Sequence, residues 1–171
     1  RKNTVVGTVM TNLGFTRFCE ENDIRFIAEK VGDRYVLECM NLDGYVLGGE
    51  QSGHIIFRNF ATTGDGELTA LQLLCQRKRE GRPLSEMGKV MRRYPQHMVN
   101  IRVSPEGRLA FYTDQAVRQT IEQAQNDLGE RGRILVRPPG TEPLIRVMVE
   151  SETEEETVRV AEDTAARIAD Q

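Results

Sequence analysis

Short β-branched runs alternate with segments of helix length through the first half of the chain. Strands that alternate with helices pack as helical layers on a sheet, because each helix buries its apolar side against the strands. We therefore predict an α/β domain for this half. In chain order, the runs and segments are 4–9, 13–22, 24–28, 34–42, 45–47 and 55–57.

A further helix is predicted to open at 62–66, with Asp65 at its entry. Its apolar residues recur at spacings of three and four, which predicts a stripe that faces the core. These residues are Leu68, Leu71, Leu74 and Cys75. The helix runs into a basic segment, 76–82, which lacks the interleaved aromatic residues of a nucleic-acid site. We interpret this segment as a solvated helix end followed by a linker.

Two prolines, Pro83 and Pro95, bracket a short predicted helix at 84–93, and we place the domain junction there. The expected organisation is a first domain at 1–85, a linker helix at 86–95 and a second domain at 96–171.

The second half of the chain has a different order of predicted elements. Two strands form a hairpin around the turn at 104–107, Asp114 caps a helix, and two more strands precede a last helix with a capping box. The order ββα-ββα predicts a small α+β domain, a four-stranded antiparallel sheet with two helices on one face. In chain order, the elements are 98–103, 108–112, 114–128, 133–137, 144–149 and 153–168.

Charge and composition exclude several classes of protein. Of the 171 residues, 29% are charged and the formal net charge is -3, so no global basic field would attract nucleic acid or an anionic membrane. No apolar stretch approaches the roughly 20 residues that span a bilayer, and the start has no signal or transit pattern. The three cysteines form no C-x-x-C pair. We expect a cytoplasmic protein with reduced cysteines.

The segment 48–54 is the densest unusual one, with glycines on both sides of a polar loop. Glycines let the backbone turn sharply and approach a ligand closely. Glu50, Gln51, Ser52 and His54 supply four different hydrogen-bonding groups from this one loop, and a carboxylate beside a hydroxyl suits vicinal sugar hydroxyls. A β-turn with solvated polar side chains explains the same residues about equally well.

A proline-stiffened turn at 137–143 separates two strands of the second domain. The guanidinium of Arg137 offers paired donors to phosphate oxygens, and the backbone amides of Gly140 and Thr141 could complete an anion nest. Arg133 and Arg146 are near in sequence and add to the local positive field. An ordinary hairpin turn explains the prolines but not the Arg and Thr beside them, so we favour anion binding.

Two other segments have weaker signals. The carboxylates at 63–67 lack the third acid of a divalent-cation loop, and Asp65 is already explained as a helix cap. The segment 32–35 is either a turn with Asp33 as a helix cap or a turn that presents Arg34 to a ligand, and spacing does not separate the two.

Three motifs, taken in chain order, resemble the α-D-phosphohexomutase superfamily and, within it, the phosphoglucosamine mutase family. They are GEQSGH at 49–54, TGDG at 63–66 and RPPGTEPLIRV at 137–147. The segments 5–15 and 31–36 are similar to the third domain of the same family, so the resemblance covers nearly the whole chain. It implies an α/β/α-layered sugar-binding domain followed by a domain of the TATA-box-binding-protein-like type.

The resemblance also implies an activity, the interconversion of hexosamine 6-phosphate and 1-phosphate through a 1,6-bisphosphate. The family uses a phosphoserine in its first domain and a D-G-D-x-D-R magnesium loop in its second, and neither is in this sequence. We therefore expect this chain alone to be inactive. The implied cofactors are Mg²⁺, whose ligands lie outside this chain, and glucose- or glucosamine-1,6-bisphosphate.

The site residues implied by the resemblance fall into a sugar set and a phosphate set. The sugar set, in which His54 supports the loop, is Glu50, Ser52, His54 and Arg34. The phosphate set is Arg137, Pro139, Gly140, Thr141 and Arg146. The family usually has serine at the position of Pro139, so one hydroxyl donor to phosphate is missing here.

The implied partners are a phosphorylated hexosamine and the amino-terminal domains of a longer protein, with a homodimer left open. Arg1 directly precedes a strand-like run and no initiator methionine is present, so we expect the sequence to start partway through that protein. A phosphomannomutase or phosphoglucomutase of the same superfamily is an alternative, as is a free-standing sugar-phosphate binding module. The Glu-Gln-Ser form of the sugar loop favours the glucosamine family.

Overall fold

The computed structural model describes residues 3–139 and 142–170. The chain divides into two units, with the boundary between Arg93 and Tyr94, inside the segment 86–95 that the sequence marks as a junction. Among the described residues, no helix combines the length and the apolar character needed to cross a membrane.

The first unit is an α/β layer structure, as predicted. Its sheet has the order β2-β1-β3-β4, in which β1 runs parallel to both β2 and β3, and β4 runs antiparallel to β3. The elements are β1 (Thr4–Thr8), α1 (Leu13–Glu21), β2 (Arg25–Glu29), α2 (Asp33–Asp43), β3 (Leu47–Gly49), β4 (Ile55–Phe57), α3 (Gly66–Glu80) and α4 (Leu84–Met87).

Helices lie on both faces of this sheet. Val6 of β1 is buried with Val36 and Met40 of α2. Phe26, the β2 partner of Val5, packs its ring edge-on against Phe15 of α1, with ring centroids 5.7 Å apart. Because neighbouring residues of a strand point to opposite faces, α1 and α2 cover opposite sides.

The approach of α2 to the sheet requires a glycine in β3. A Cβ atom on Gly48 would lie 2.6 Å from the Met40 sulfur and 2.7 Å from a Val36 methyl carbon.

The strand β3 begins at Leu47 rather than at 45, because Tyr45 is still hydrogen-bonded to the last turn of α2. The Tyr45 N–H donates to the Met40 carbonyl at 3.0 Å, and Gly44, which ends the helix, has a left-handed conformation with φ 76°.

The predicted core-facing stripe of α3 is wrong for the described residues. Asp65 caps the helix as expected, accepting from the Leu68 N–H at 2.9 Å, but the helix buries no residue. Leu71 is 61% exposed and Leu74 is 52% exposed. The helix packs against the edge strand β4, and its Leu71, Leu73 and Leu74 are exposed.

Truncation of Leu74 should therefore have little effect on this chain. We expect Leu74→Ala to change the free energy of unfolding of the first unit by less than about 0.5 kcal/mol, as for an exposed substitution. Ile56→Val, at a residue that is 1% exposed, should cost about 0.5–1.5 kcal/mol. Urea denaturation followed by amide NMR signals of the first unit measures both. An equal cost for the two variants would show that the Leu74 side chain is covered.

The second unit places two long helices on one face of an antiparallel sheet of order β5-β7-β6. Ile145, Val147 and Val149 of the central strand are buried with the apolar sides of α6 and α7. The elements are β5 (Gln96–Arg102), α5 (Pro105–Ala110), α6 (Gln115–Leu128), a 3₁₀ turn (Gly129–Arg131), β6 (Gly132–Arg137), β7 (Leu144–Ser151) and α7 (Glu154–Ala169).

The predicted hairpin at 98–112 is wrong, and with it the fourth strand of the sheet. Residues 105–110 form α5 instead, so the described sheet has three strands. Ser104 caps this helix by accepting from the Gly107 N–H at 3.1 Å, and Pro105 occupies the first turn. A serine followed by proline is a strong helix start, because proline has the helical φ and needs no N–H partner there.

The predicted linker helix is much shorter than expected. Only Leu84–Met87 is helical, and the Gly88 N–H donates back to the Leu84 carbonyl at 2.9 Å. The remaining residues up to Pro95 are not helical, which is consistent with the preference of a residue before proline for extended backbone.

Candidate functional site

The polar loop at 50–54 lies at the carboxyl edge of the parallel part of the first sheet. It follows β3, while 9–12 follows β1 and 30–32 follows β2, and these three strands run in the same direction. The chain reverses its winding direction between β1 and β3, because β2 lies on one side of β1 and β3 on the other. Ligands of open α/β sheets bind in the crevice at such a reversal.

Glu50 is nearly buried within this loop. Its side chain is 9% exposed, and one carboxylate oxygen accepts from the backbone N–H of Gly32 at 2.7 Å. Gly32 is the cap residue of α2, and Glu50 accepts the N–H of Gly32 from 18 residues away, as the acid of a capping box accepts the N–H of the cap residue. The loop is therefore joined to the start of α2, a contact that the sequence does not reveal.

Ser52 and His54 complete a small polar cluster around the second oxygen of Glu50. The Ser52 hydroxyl lies 3.4 Å from Glu50 Oε2 and 3.2 Å from His54 Nδ1, and His54 Nδ1 lies 3.9 Å from Glu50 Oε2. The loop is closed by a hydrogen bond from the Glu50 N–H to the His54 carbonyl at 2.8 Å, and Gly53 has a φ of 105°. The structure brings these three predicted sugar residues together.

Arg34 lies in the first turn of α2, whose cap Gly32 holds Glu50. Its Nη2 donates to the Tyr35 hydroxyl at 2.7 Å, and its guanidinium lies 4.6 Å from the centre of that ring. Asp33 accepts from the Arg34 backbone N–H at 2.8 Å and is the first residue of the helix rather than its cap. The exposed Arg34 side chain is thus engaged with its neighbour Tyr35 rather than with the cluster of Glu50, Ser52 and His54.

In the second unit, Arg137 and Arg146 are direct cross-strand partners at the end of β6 and the start of β7. Side chains of directly opposed residues point to the same face, and like charges in such a pair repel. Asn100 opposes Arg146 on the other side, in β5, and adds an amide to the same face. Sequence reasoning had not identified Asn100, because the pairing of β5 with β7 is visible only in the fold.

The two arginines are partly buried, and Arg146 has an unsatisfied donor among the described residues. Burial, and then the positive charge of Arg146, hold the pKa of Arg137 below its ordinary value, yet a guanidinium keeps its proton in proteins. Arg146 forms an ion pair with Glu142, but its buried Nε has no hydrogen-bond partner among the residues that the structure describes. An anion between these side chains would relieve the repulsion and satisfy the donor.

Of the three remaining predicted phosphate-site residues, the structure describes only Pro139. The carbonyl of Pro139 accepts from Nη2 of Arg108 in α5 at 2.8 Å, a contact that the mistaken hairpin concealed. Gly140 and Thr141 lie outside the described residues.

Arg133 does not add to the positive field as the sequence suggested. Its Nε donates to Glu150 Oε2 at 2.7 Å, and Glu150 is fully buried at 0% exposure. Glu150 also accepts from the Gln96 amide at 2.8 Å. Arg133 therefore neutralises a buried carboxylate at the far end of the strand pair.

Residues 3–139 and 142–170 contain no group of three or more His, Cys, Asp and Glu side chains that could hold a metal ion. We assign no metal-dependent step to these residues.

Two models of one family match the chain. The model of the phosphoglucomutase/phosphomannomutase alpha/beta/alpha domain III matches residues 1–94, and the model of the C-terminal domain of the same family matches residues 98–167.

Curated relatives include phosphoglucosamine mutases of Alkaliphilus oremlandii and Frankia alni. The first is 48% identical over 168 residues and the second is 52% identical over 167 residues. Both alignments include 98% of this chain, which spans 37% and 35% of the respective relatives.

Solved structures of an N-acetylphosphoglucosamine mutase from Aspergillus fumigatus have the same fold. One matches with a TM-score of 0.85, and another, in complex with GlcNAc-6P and magnesium, matches with a TM-score of 0.83. A third, of a serine-to-alanine variant with glucose 1,6-bisphosphate, has a TM-score of 0.81. Each is 18% identical and aligns with 98% of this chain, which spans 38% of the matched chain.

Proposed function

Because this chain belongs to the phosphoglucomutase/phosphomannomutase family, of which it comprises domain III and the C-terminal domain, we propose that it is the substrate-positioning part of a phosphoglucosamine mutase. The complete protein interconverts glucosamine 6-phosphate and glucosamine 1-phosphate through a 1,6-bisphosphate. The identity of about half of the residues with phosphoglucosamine mutases favours this sugar over mannose or glucose.

The observation that most supports a phosphate site is the cross-strand pair of Arg137 and Arg146. The two guanidiniums lie on one face and repel each other, and the buried Nε of Arg146 has no hydrogen-bond partner among the described residues. The pair is therefore destabilising unless an anion is bound. Phosphate oxygens accept paired hydrogen bonds from a guanidinium, so the phosphate that is not being transferred would sit here. In this proposal, Gly140 and Thr141 contribute backbone and hydroxyl donors, and Pro139 fixes the loop.

The sugar would be held by the cluster of Glu50, Ser52 and His54. One oxygen of Glu50 is already occupied by the Gly32 N–H, so Oε2 is the oxygen that accepts from a sugar hydroxyl. Ser52 can donate to or accept from a neighbouring hydroxyl, and His54 orients Ser52. Arg34, in the first turn of α2, is an additional contact in this proposal, and it would exchange its hydrogen bond to the Tyr35 hydroxyl for one to the ligand.

The assignment of substrate binding to this chain and of phosphoryl transfer to the rest of the protein fits the reaction. A mutase must accept its bisphosphate intermediate in two orientations, so it needs one distal phosphate site and a loop that contacts hydroxyls shared by both orientations. The magnesium ion and the phosphoserine, which the rest of the protein would provide, supply the charge stabilisation and the phosphoryl group for transfer. The residues of this chain bind and orient the sugar phosphate.

Titration of the chain with glucosamine 6-phosphate tests the proposal. We expect amide chemical-shift changes at 50–54 and 136–147, and smaller changes at 50–54 with mannose 6-phosphate. With Mg²⁺ present, ³¹P NMR should show no formation of the 1-phosphate, because the chain has no phosphoryl-carrying serine in a metal loop. Shifts confined to the basic segment 77–93, or turnover above a blank, would contradict the proposal.

A further inference from the structure

A guanidinium outside the predicted site reaches the proposed phosphate loop. Arg108 lies in α5, and its Nη2 donates to the carbonyl of Pro139 at 2.8 Å across 31 residues of sequence. The side chain is half-buried, and its backbone N–H donates to the Ser104 carbonyl at 2.9 Å within the helix. Arg108 therefore comes from a short, well-capped helix rather than from a loose connection.

The same segment contacts the other end of the phosphate loop. The Val103 N–H donates to the Pro143 carbonyl at 3.2 Å, while Arg108 binds Pro139. One stretch of chain, from the end of β5 through α5, thus holds both sides of the turn between β6 and β7. The turn itself contains three prolines, which lack N–H groups and cannot form a hairpin ladder.

We propose that Arg108 is a positioning residue of the phosphate site, which fixes the backbone at Pro139, two residues after Arg137. The inference rests on the proposed function, since it assumes that this loop binds phosphate. A backbone segment that is fixed before binding loses less conformational freedom when the anion arrives, so the affinity for the anion is higher. The positive charge of Arg108 also favours an anion at this loop.

Phosphate binding by variants of this chain tests the inference. Inorganic phosphate and glucosamine 6-phosphate are titrated by NMR into the wild type, Arg108→Ala, Arg108→Lys and Arg118→Ala. Arg118 is the matched control, because it is also a helical arginine of this unit that donates to a backbone carbonyl, that of Tyr112. We expect Arg108→Ala to raise the Kd about five- to tenfold. Arg108→Lys, which keeps a donor and the charge, should recover most of the affinity, and Arg118→Ala should match the wild type.

Thermal unfolding of the same variants separates positioning from general stability. The weaker binding of Arg108→Ala should occur with a Tm close to that of Arg118→Ala. Wild-type affinity in Arg108→Ala, or equal losses in Arg108→Ala and Arg118→Ala, would overturn the inference. Arg137→Ala is measured in parallel to separate the two hypotheses. If Arg137→Ala loses affinity for phosphate and Arg108→Ala does not, only the role of Arg108 is refuted. No loss in Arg137→Ala refutes the phosphate site itself.

Discussion

Replacement of Arg137 by alanine is expected to weaken the binding of phosphorylated sugars by about 10- to 150-fold. The range corresponds to loss of a hydrogen bond to a charged group, worth about 1.5–3 kcal/mol. Arg137 is half-buried at the end of β6 beside Arg146, so its guanidinium is already partly desolvated. Titration of the chain with glucosamine 6-phosphate, followed by NMR or calorimetry, gives the ratio of the dissociation constants.

Arg77→Ala is the control for overall charge. Arg77 lies in the last turn of α3, where its positive charge interacts favourably with the helix dipole and its side chain is exposed to solvent. Both variants remove one positive charge, so a purely long-range electrostatic effect would weaken binding similarly in the two. Equal losses for Arg77→Ala and Arg137→Ala would therefore remove the case for a phosphate site at 137–146.

Arg137→Ala should also make the folded second unit slightly more stable without ligand, or leave its stability unchanged. The substitution removes the repulsion between two opposed guanidiniums, and the alanine leaves no hydrogen bond of Arg137 broken among the described residues. Such a gain in stability with a loss in affinity is typical of a residue selected for binding rather than for folding.

The sequence predicted the layers of the first unit well, because its signals are local. Alternating strands and helices, and the cap at Asp65, were confirmed by the structure. The α3 stripe was misjudged because periodicity identifies an apolar side but does not say what covers it. In the second unit, β-propensity at 108–112 suggested a strand, whereas the capping geometry of Ser104 and Pro105 produced a helix.

The candidate site was predictable where one loop holds all its groups. Glu50, Ser52 and His54 lie within five consecutive positions, and their hydrogen bonds connect residues of that same loop. Contacts between distant segments were not predictable. The bond of Glu50 to Gly32, the bond of Arg108 to Pro139 and the pairing of Arg133 with Glu150 all depend on the folded topology.

The bond between Glu50 and Gly32 changes what substitution of this carboxylate should do. A solvent-facing loop carboxylate, as the sequence suggested, could be removed with little effect on folding. Glu50 is instead nearly buried and satisfies the cap N–H of α2, whose residues Val36 and Met40 are in the core. We therefore expect Glu50→Ala to destabilise the first unit by about 1–3 kcal/mol, because a half-buried donor loses its acceptor.

Glu50→Gln distinguishes the structural role of Glu50 from its proposed role in sugar binding. The glutamine carbonyl oxygen can still accept from Gly32, so the loss of stability should be no more than about 1 kcal/mol. The second carboxylate oxygen is replaced by an amide nitrogen, which cannot accept from a sugar hydroxyl. Glu50→Gln should therefore retain a folded first unit and lose the shifts at 50–54 on titration with glucosamine 6-phosphate.

Glu38→Ala, at an exposed position of α2, is the control for both measurements and should leave both stability and sugar binding near the wild type. Urea denaturation gives the stability of each variant, and the titration gives its response to the sugar phosphate. If Glu50→Gln keeps the sugar-induced shifts while Glu50→Ala unfolds the unit, the only role of Glu50 is to accept the Gly32 N–H at the start of α2. In that case the sugar must be held by Ser52, His54 or Arg34 instead.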